Sequence, residues 1–217
     1  MNADNFRLLI EMGDLSGIRR ALKSEPALAN QTIRWVLNQQ NESDPLHFVS
    51  DCVSHGWLSN GTEGEIAELL LASGAAIEGT GDRESPLLGS TSLGAEKVSK
   101  VLIGAGAALE RTSVFGARAL HWAAWVGSSS TVELLIAHHA NLEARCARFA
   151  ATPLFWAVHG YGPDGPRQKN DQVAAARLLI QAGANIDTMN NEGLCAIALA
   201  KLSAKPDMYE LLIGPQI

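Results

Sequence analysis

The stretch GARALHWAAWVGSSSTVELLIAHHANLEA, Gly116 to Ala144, holds two short apolar segments separated by a glycine and three serines. In the first, Ala123 and Ala124 are small, as residues must be where neighbouring helices approach closely. In the second, Val132, Leu135 and Ile136 recur at three- and four-residue spacing and form one apolar stripe of a helix. The chain should then leave that helix through a left-handed residue, a slot that suits glycine. Here the slot holds His139, whose side chain should cost roughly 1 kcal/mol. Such a unit cannot bury its own apolar stripe and needs neighbours of the same kind.

Those neighbours are present on both sides. LLLASGAAIEG from Leu69, VLIGAGAALER from Val101 and LLIQAGANIDT from Leu178 align with LLIAHHANLEA from Leu134. Their landmark residues Gly74, Gly106, His139 and Gly183 are separated by steps of 32, 33 and 44. A second marker lies upstream of each: DPLHF at Asp44, SPLLG at Ser85, RALHW at Arg118 and TPLFW at Thr152. A degenerate fifth copy, CAIAL, starts at Cys195. The proline of the marker (Ala119 in the third copy) precedes its landmark by 29, 20, 20 and 30 residues, so the first and fourth copies carry 9 and 10 extra residues at one place. Proline suits the first turn of a helix, where its missing N–H would have no partner anyway.

The pattern resembles the ankyrin repeat, whose signature T-P-L-H-x-A opens a 33-residue unit of turn plus two helices. The copy at Gly116 departs from that signature at Arg118 and Ala119, and at His139. The resemblance covers nearly the whole chain. FRLLIEMGDLSGIRRALKSEPALAN is similar to an N-terminal cap, and LCAIALAKLSAKPDMYELLIG to a closing repeat. It implies an all-α fold: an ankyrin-repeat solenoid of stacked helix pairs with β-hairpin fingers. One domain over 1–217 is expected, with a cap at 1–30 and repeats at about 40–79, 81–112, 113–146, 147–189 and 190–217. The connection QTIRWVLNQQNESD is longer than usual, and its alternation of Ile33, Trp35 and Leu37 with Thr32, Arg34 and Val36 predicts a two-stranded finger.

Composition narrows the function. The formal charge of −6 argues against a nucleic-acid partner, which would need clustered Lys and Arg. No apolar run approaches the length of about 18 residues that spans a membrane. The N-terminus carries Asp4, Glu11 and Asp14 through its apolar part and does not read as a signal peptide. Cys52, Cys146 and Cys195 lie far apart and cannot all pair, which suits reduced thiols and a cytoplasmic location.

Catalytic and metal motifs are sparse. HGYGPDGPRQKND, the insertion in the fourth copy, has glycines that follow a helix rather than a strand and lacks Gly-Lys-Ser/Thr, so it is no P-loop. Its Gly-Pro and Asp-Gly pairs predict a turn-rich surface loop, as does its twin SHGWLSNGTEGE in the first copy. Cys52-x2-His55 has no second pair at zinc spacing, and His138 and His139 are adjacent rather than four apart, so no metal site is expected. No cofactor and no catalytic residue are assigned. His159, Tyr161 and Asp164 form the one cluster an enzyme reading could use. Glu78, Glu110, Glu143 and Asp187 each follow a landmark by four residues; either they accept from nearby turn amides or they make a cation-attracting stripe.

The resemblance implies binding of a partner protein through the fingertips and inner helices. Carried over residue by residue, it marks Gln40, Asn41, Ser43, Asp51 and Cys52, then Gly81, Asp82, Glu84, Ser92 and Leu93. The fifth repeat contributes Asn191, Glu192, Leu194, Leu202 and Ser203. The third and fourth repeats stand out, because aromatic residues and Arg are the usual interface anchors. There the candidates are Val114, Phe115, Trp125, Val126, Arg148, Phe149, His159 and Tyr161. Alternatively Phe149 folds onto Phe115 as a local staple. Trp122 and Trp156 are expected to pack between helices. Against a protein–protein interaction scaffold stand an inhibitory or immunity-type partner of a co-produced enzyme or toxin, and the enzyme reading. Homo-association is a further expectation from an exposed aromatic patch.

Overall fold

The computed structural model describes residues 3–35, 41–162 and 171–214. Among these the chain is all-α apart from one short hairpin, and it divides into two compact units, Met1–Ala108 and Leu109–Ile217.

The first unit opens with α1 (Ala3–Met12), α2 (Leu15–Ser24) and a 3-10 turn at Pro26–Asn30. The side chain of Asp14 caps α2 by accepting from Gly17 N. Asn30 joins this cap to the first repeat: its side chain donates to Gly74 O (2.8 Å) and accepts from Ala76 N (2.7 Å). The expected finger forms as β1 (Ile33–Trp35) against β2 (Asn41–Ser43), antiparallel, with Ile33 opposite Ser43 and Trp35 opposite Asn41. Ile33 and Trp35 point inward and Arg34 outward, the alternation that period-two patterning demands. Gln40 and Leu37 lie outside the described residues. Helices α3 (Pro45–Ser54), α4 (Glu63–Ala72), α5 (Pro86–Ser92) and α6 (Glu96–Gly104) complete the unit as two helix pairs.

Asp44 takes the position of the signature threonine. It serves the neighbouring turn instead of its own helix, accepting from Thr80 N, Thr80 Oγ1 and Arg83 Nη1 at 2.6, 2.6 and 2.9 Å. The first insertion has a structural use. Trp57 stacks on His55 and meets Trp35 edge-on at 5.6 Å, closing over the finger.

The second unit holds three pairs: α7 (Ala119–Val126) with α8 (Ser129–Ala137), α9 (Pro153–Gly160) with α10 (Gln172–Gln181), and α11 (Ala196–Leu202) with α12 (Pro206–Ile213). α7 packs on α9 through fully buried Ala123, Ala124 and Ala157, so the small residues permit the close approach the sequence implied. His121 ties the two together. Its Nδ1 accepts from Arg118 N (3.1 Å), which leaves the proton on Nε2 to be donated to Ala151 O (3.1 Å). The helix-ending glycines Gly74, Gly106 and Gly183 have φ of 88°, 86° and 94°, and His139 adopts the same hand at 63°.

Candidate functional site

The third and fourth fingers are tight turns. Ser113 N donates to Ala117 O (2.9 Å) and Cys146 N to Ala151 O (3.0 Å). Gly116, at φ 67°, is obligatory: a methyl group there would stand 2.4 Å from Ala147 Cβ. The tips are joined in series, since Arg148 N donates to Phe115 O (3.2 Å) and Asn191 N to Phe149 O (2.9 Å). This spacing slides the Arg148 guanidinium over two rings, 5.4 Å from the centre of Phe115 and 5.3 Å from that of Phe149. The alternative reading folds Phe149 onto Phe115 as a local staple; here the Arg148 guanidinium lies over both rings.

Behind the tips, α7 and α9 present Trp122, Trp125, Trp156 and His159. Trp122 meets Phe115, Trp125 and Trp156 edge-on, with ring centres at 6.0, 5.9 and 5.0 Å. Gly160 makes room for Trp125, because a methyl group at Gly160 would stand 2.2 Å from the Trp125 carbonyl oxygen. The result is a cavity of about 310 Å³ walled by Phe115, Trp122, Trp125, Phe149 and Trp156, with Arg148 and His159 completing the lining. Among the described residues no acidic side chain lines it. Trp122 Nε1 is buried with no partner among the described residues, an unmet donor that costs free energy unless something accepts from it.

Five of the eight candidates meet here or touch the lining: Phe115, Trp125, Arg148, Phe149 and His159. Val114 stands 93% exposed beside Phe115 and outside the lining. Val126 is a correction. It is 1% exposed in the core, because the end of α7 turns that side chain inward, and it cannot touch a partner. The same burial removes Ser43, Asp51 and Cys52 from the implied contact slots.

Tyr161 is half-buried and donates to Asp207 Oδ2 (2.9 Å), a bond that raises the phenol pKa. Lys205 caps the last carbonyls of α9, donating to Val158 O (2.6 Å) and His159 O (3.2 Å). Asp164 lies outside the described residues. Glu78, Glu110 and Glu143 each accept from a following turn amide: Ala108 N (2.6 Å), Asn141 N (3.0 Å) and Asn185 N (2.7 Å). That is the turn-bracing reading of the acidic ladder. Among the described residues no three His, Cys, Asp or Glu side chains gather to hold a metal, and no helix is long and apolar enough to cross a membrane.

Trp122 and Trp156 were expected between helices. Trp156 is 8% exposed and does pack there, but both also wall the cavity. A repeat-shifted comparison would have found them. Phe115 and Phe149, Trp122 and Trp156, and Trp125 and His159 are three pairs 34 residues apart, so equivalent slots of adjacent repeats converge on one cavity.

The same periodicity is recognised by comparison with known families. A family model described as "Ankyrin repeats (3 copies)" matches residues 46–146 and again residues 120–217. With matching helix pairs, glycine-ended outer helices and joined fingertips, this chain belongs to the ankyrin-repeat family.

Proposed function

We propose that the chain is a single ankyrin-repeat domain that binds a partner protein through the fingertips and inner helices of its third and fourth repeats. Ankyrin repeats are in general protein–protein interaction modules. The observation that carries the finer reading is the aromatic cavity, where residues of two successive repeats leave an apolar surface partly open beside the exposed Val114 and Arg148. Each aromatic group covered by a partner contributes roughly 1.5–3 kcal/mol by area, so two or three anchors support a specific complex. The contacting residues are Val114, Phe115, Trp125, Arg148, Phe149 and His159, joined by Trp122. Three unpaired cysteines fit a reducing compartment such as the cytoplasm.

The test is capture from native lysate by the wild type and by a Phe115→Ser, Trp125→Ser, Phe149→Ser variant. Circular dichroism and a melt confirm that the variant folds. A protein held by the wild type and lost by the folded variant supports the reading. Equal capture by both means that the partner binds elsewhere.

A further inference from the structure

The chemistry of the cavity selects its guest. We propose that it seats an aromatic side chain adjacent to a carboxylate, carried on an extended segment of the partner; this rests on the partner-binding reading above. The aromatic preference follows from five aromatic walls and a volume of about 310 Å³, at the small end for ligand pockets and suited to one ring system. The acidic preference follows from the polar groups present. Among the described residues Arg148 meets no carboxylate and the buried Trp122 N–H has nothing to donate to. A neighbouring carboxylate satisfies the guanidinium with charge-assisted bonds.

A cationic guest is disfavoured by the same geometry. The ring faces of Phe115 and Phe149, which would attract an ammonium group, already carry the Arg148 guanidinium. A partner segment also uses what a small acid would leave idle, since Val114 stands free next to Phe115 for apolar contact beyond the cavity.

The experiment is a ¹⁵N–¹H titration of the full chain, reading the five tryptophan indole N–H signals. The probes are three blocked tetrapeptides: Gly-Phe-Glu-Gly, Gly-Phe-Lys-Gly and Gly-Ala-Glu-Gly. A Trp122→Phe variant assigns the Trp122 signal. The glutamate–phenylalanine probe is expected to shift Trp122, Trp125 and Trp156 while Trp35 and Trp57 stay still. The other two probes are expected to bind at least about fivefold more weakly, a difference of roughly 1 kcal/mol. In Arg148→Gln, with the wild-type spectral dispersion retained, the preference for glutamate over lysine should vanish.

The proposal is overturned if the lysine probe binds as well as the glutamate probe, if Arg148→Gln keeps the preference, or if no indole signal moves at millimolar peptide. Failure of the two readings is distinguishable. If the triple serine variant loses its partner while no probe binds, the face is right and the guest chemistry is wrong. If the probes bind as expected but the triple variant keeps its partner, the cavity is not where the partner sits, and the inference falls with that reading.

Discussion

Arg148 is held to Phe115 twice, by its backbone N–H on the Phe115 carbonyl at 3.2 Å and by its guanidinium over the Phe115 ring at 5.4 Å. The first contact spaces the two fingertips; the second places one cation over both the Phe115 and the Phe149 ring. At exposed sites such a cation–π contact contributes about 0.5–1 kcal/mol. A double-mutant cycle of Arg148→Ala and Phe115→Ala, followed by urea unfolding, should therefore return a coupling energy of that size. A coupling near zero would mean that the side chain rests on the ring without contributing.

Gly160 gives a sharper handle on the cavity. Its missing side chain is what lets the Trp125 backbone and ring lie against the end of α9. Gly160→Ala forces a shift of main chain and not merely of a flexible side chain, so it should destabilise by about 1–3 kcal/mol. In a chain of 217 residues that lowers Tm by about 2–12 °C. The Trp125 indole signal should move in the variant while those of Trp35 and Trp57 do not. An unchanged Tm with an unchanged Trp125 signal would show that this packing is not needed.

The fold was legible because repeat architecture writes itself several times over. The apolar stripe, the marker at Pro45, Pro86 and Pro153, and the left-handed slots at Gly74, Gly106 and Gly183 all state the same unit. The first finger was legible for a local reason, the alternation around Trp35. The cavity was only half legible. Its rim residues Phe115 and Phe149 stand on fingertips where polar residues are normal, so their type gave them away. Its walls did not, because whether Trp122 packs or lines depends on Gly160 admitting Trp125 and on where Arg148 lies over the two phenylalanines. Val126 was misplaced for a related reason: a contact slot carried over from a family says nothing of how far α7 has rotated when it ends at Gly127.

His139 is the one helix-ending landmark that departs from glycine, and it sits at φ 63° on an exposed turn. Replacing it with glycine relieves the left-handed strain and touches no packed neighbour. His139→Gly should stabilise by roughly 1 kcal/mol, or about 2–4 °C in Tm for a chain of this size. Parallel changes of Gly106 or Gly183 to histidine should cost a similar amount. If His139→Gly is neutral or destabilising, the imidazole makes a compensating contact at that turn.

His121 makes stability depend on pH in a direction that can be worked out. Burial against α9 pushes its pKa down from the ordinary value of about 6.5 to about 4, and hydrogen bonding to Ala151 O only partly opposes that. Between those values the unfolded chain binds a proton that the folded chain refuses, so stability rises with pH there. The contribution is complete above about pH 6.5 and is lost as the pH falls toward 4, on the order of 3 kcal/mol in all and about 2 kcal/mol of it by pH 5. Asp51 and Glu84 work in the opposite sense lower down, since burial raises their pKa values. Comparing the wild type with His121→Ala removes their effect. The variant should be less stable than the wild type at pH 7, because Arg118 N loses its partner and Ala151 O one of its two, and that deficit should shrink by about 2 kcal/mol on going to pH 5. Urea unfolding at pH 7, 6 and 5 measures it, and a deficit that stays constant across the three would show that His121 titrates alike in the folded and unfolded chain.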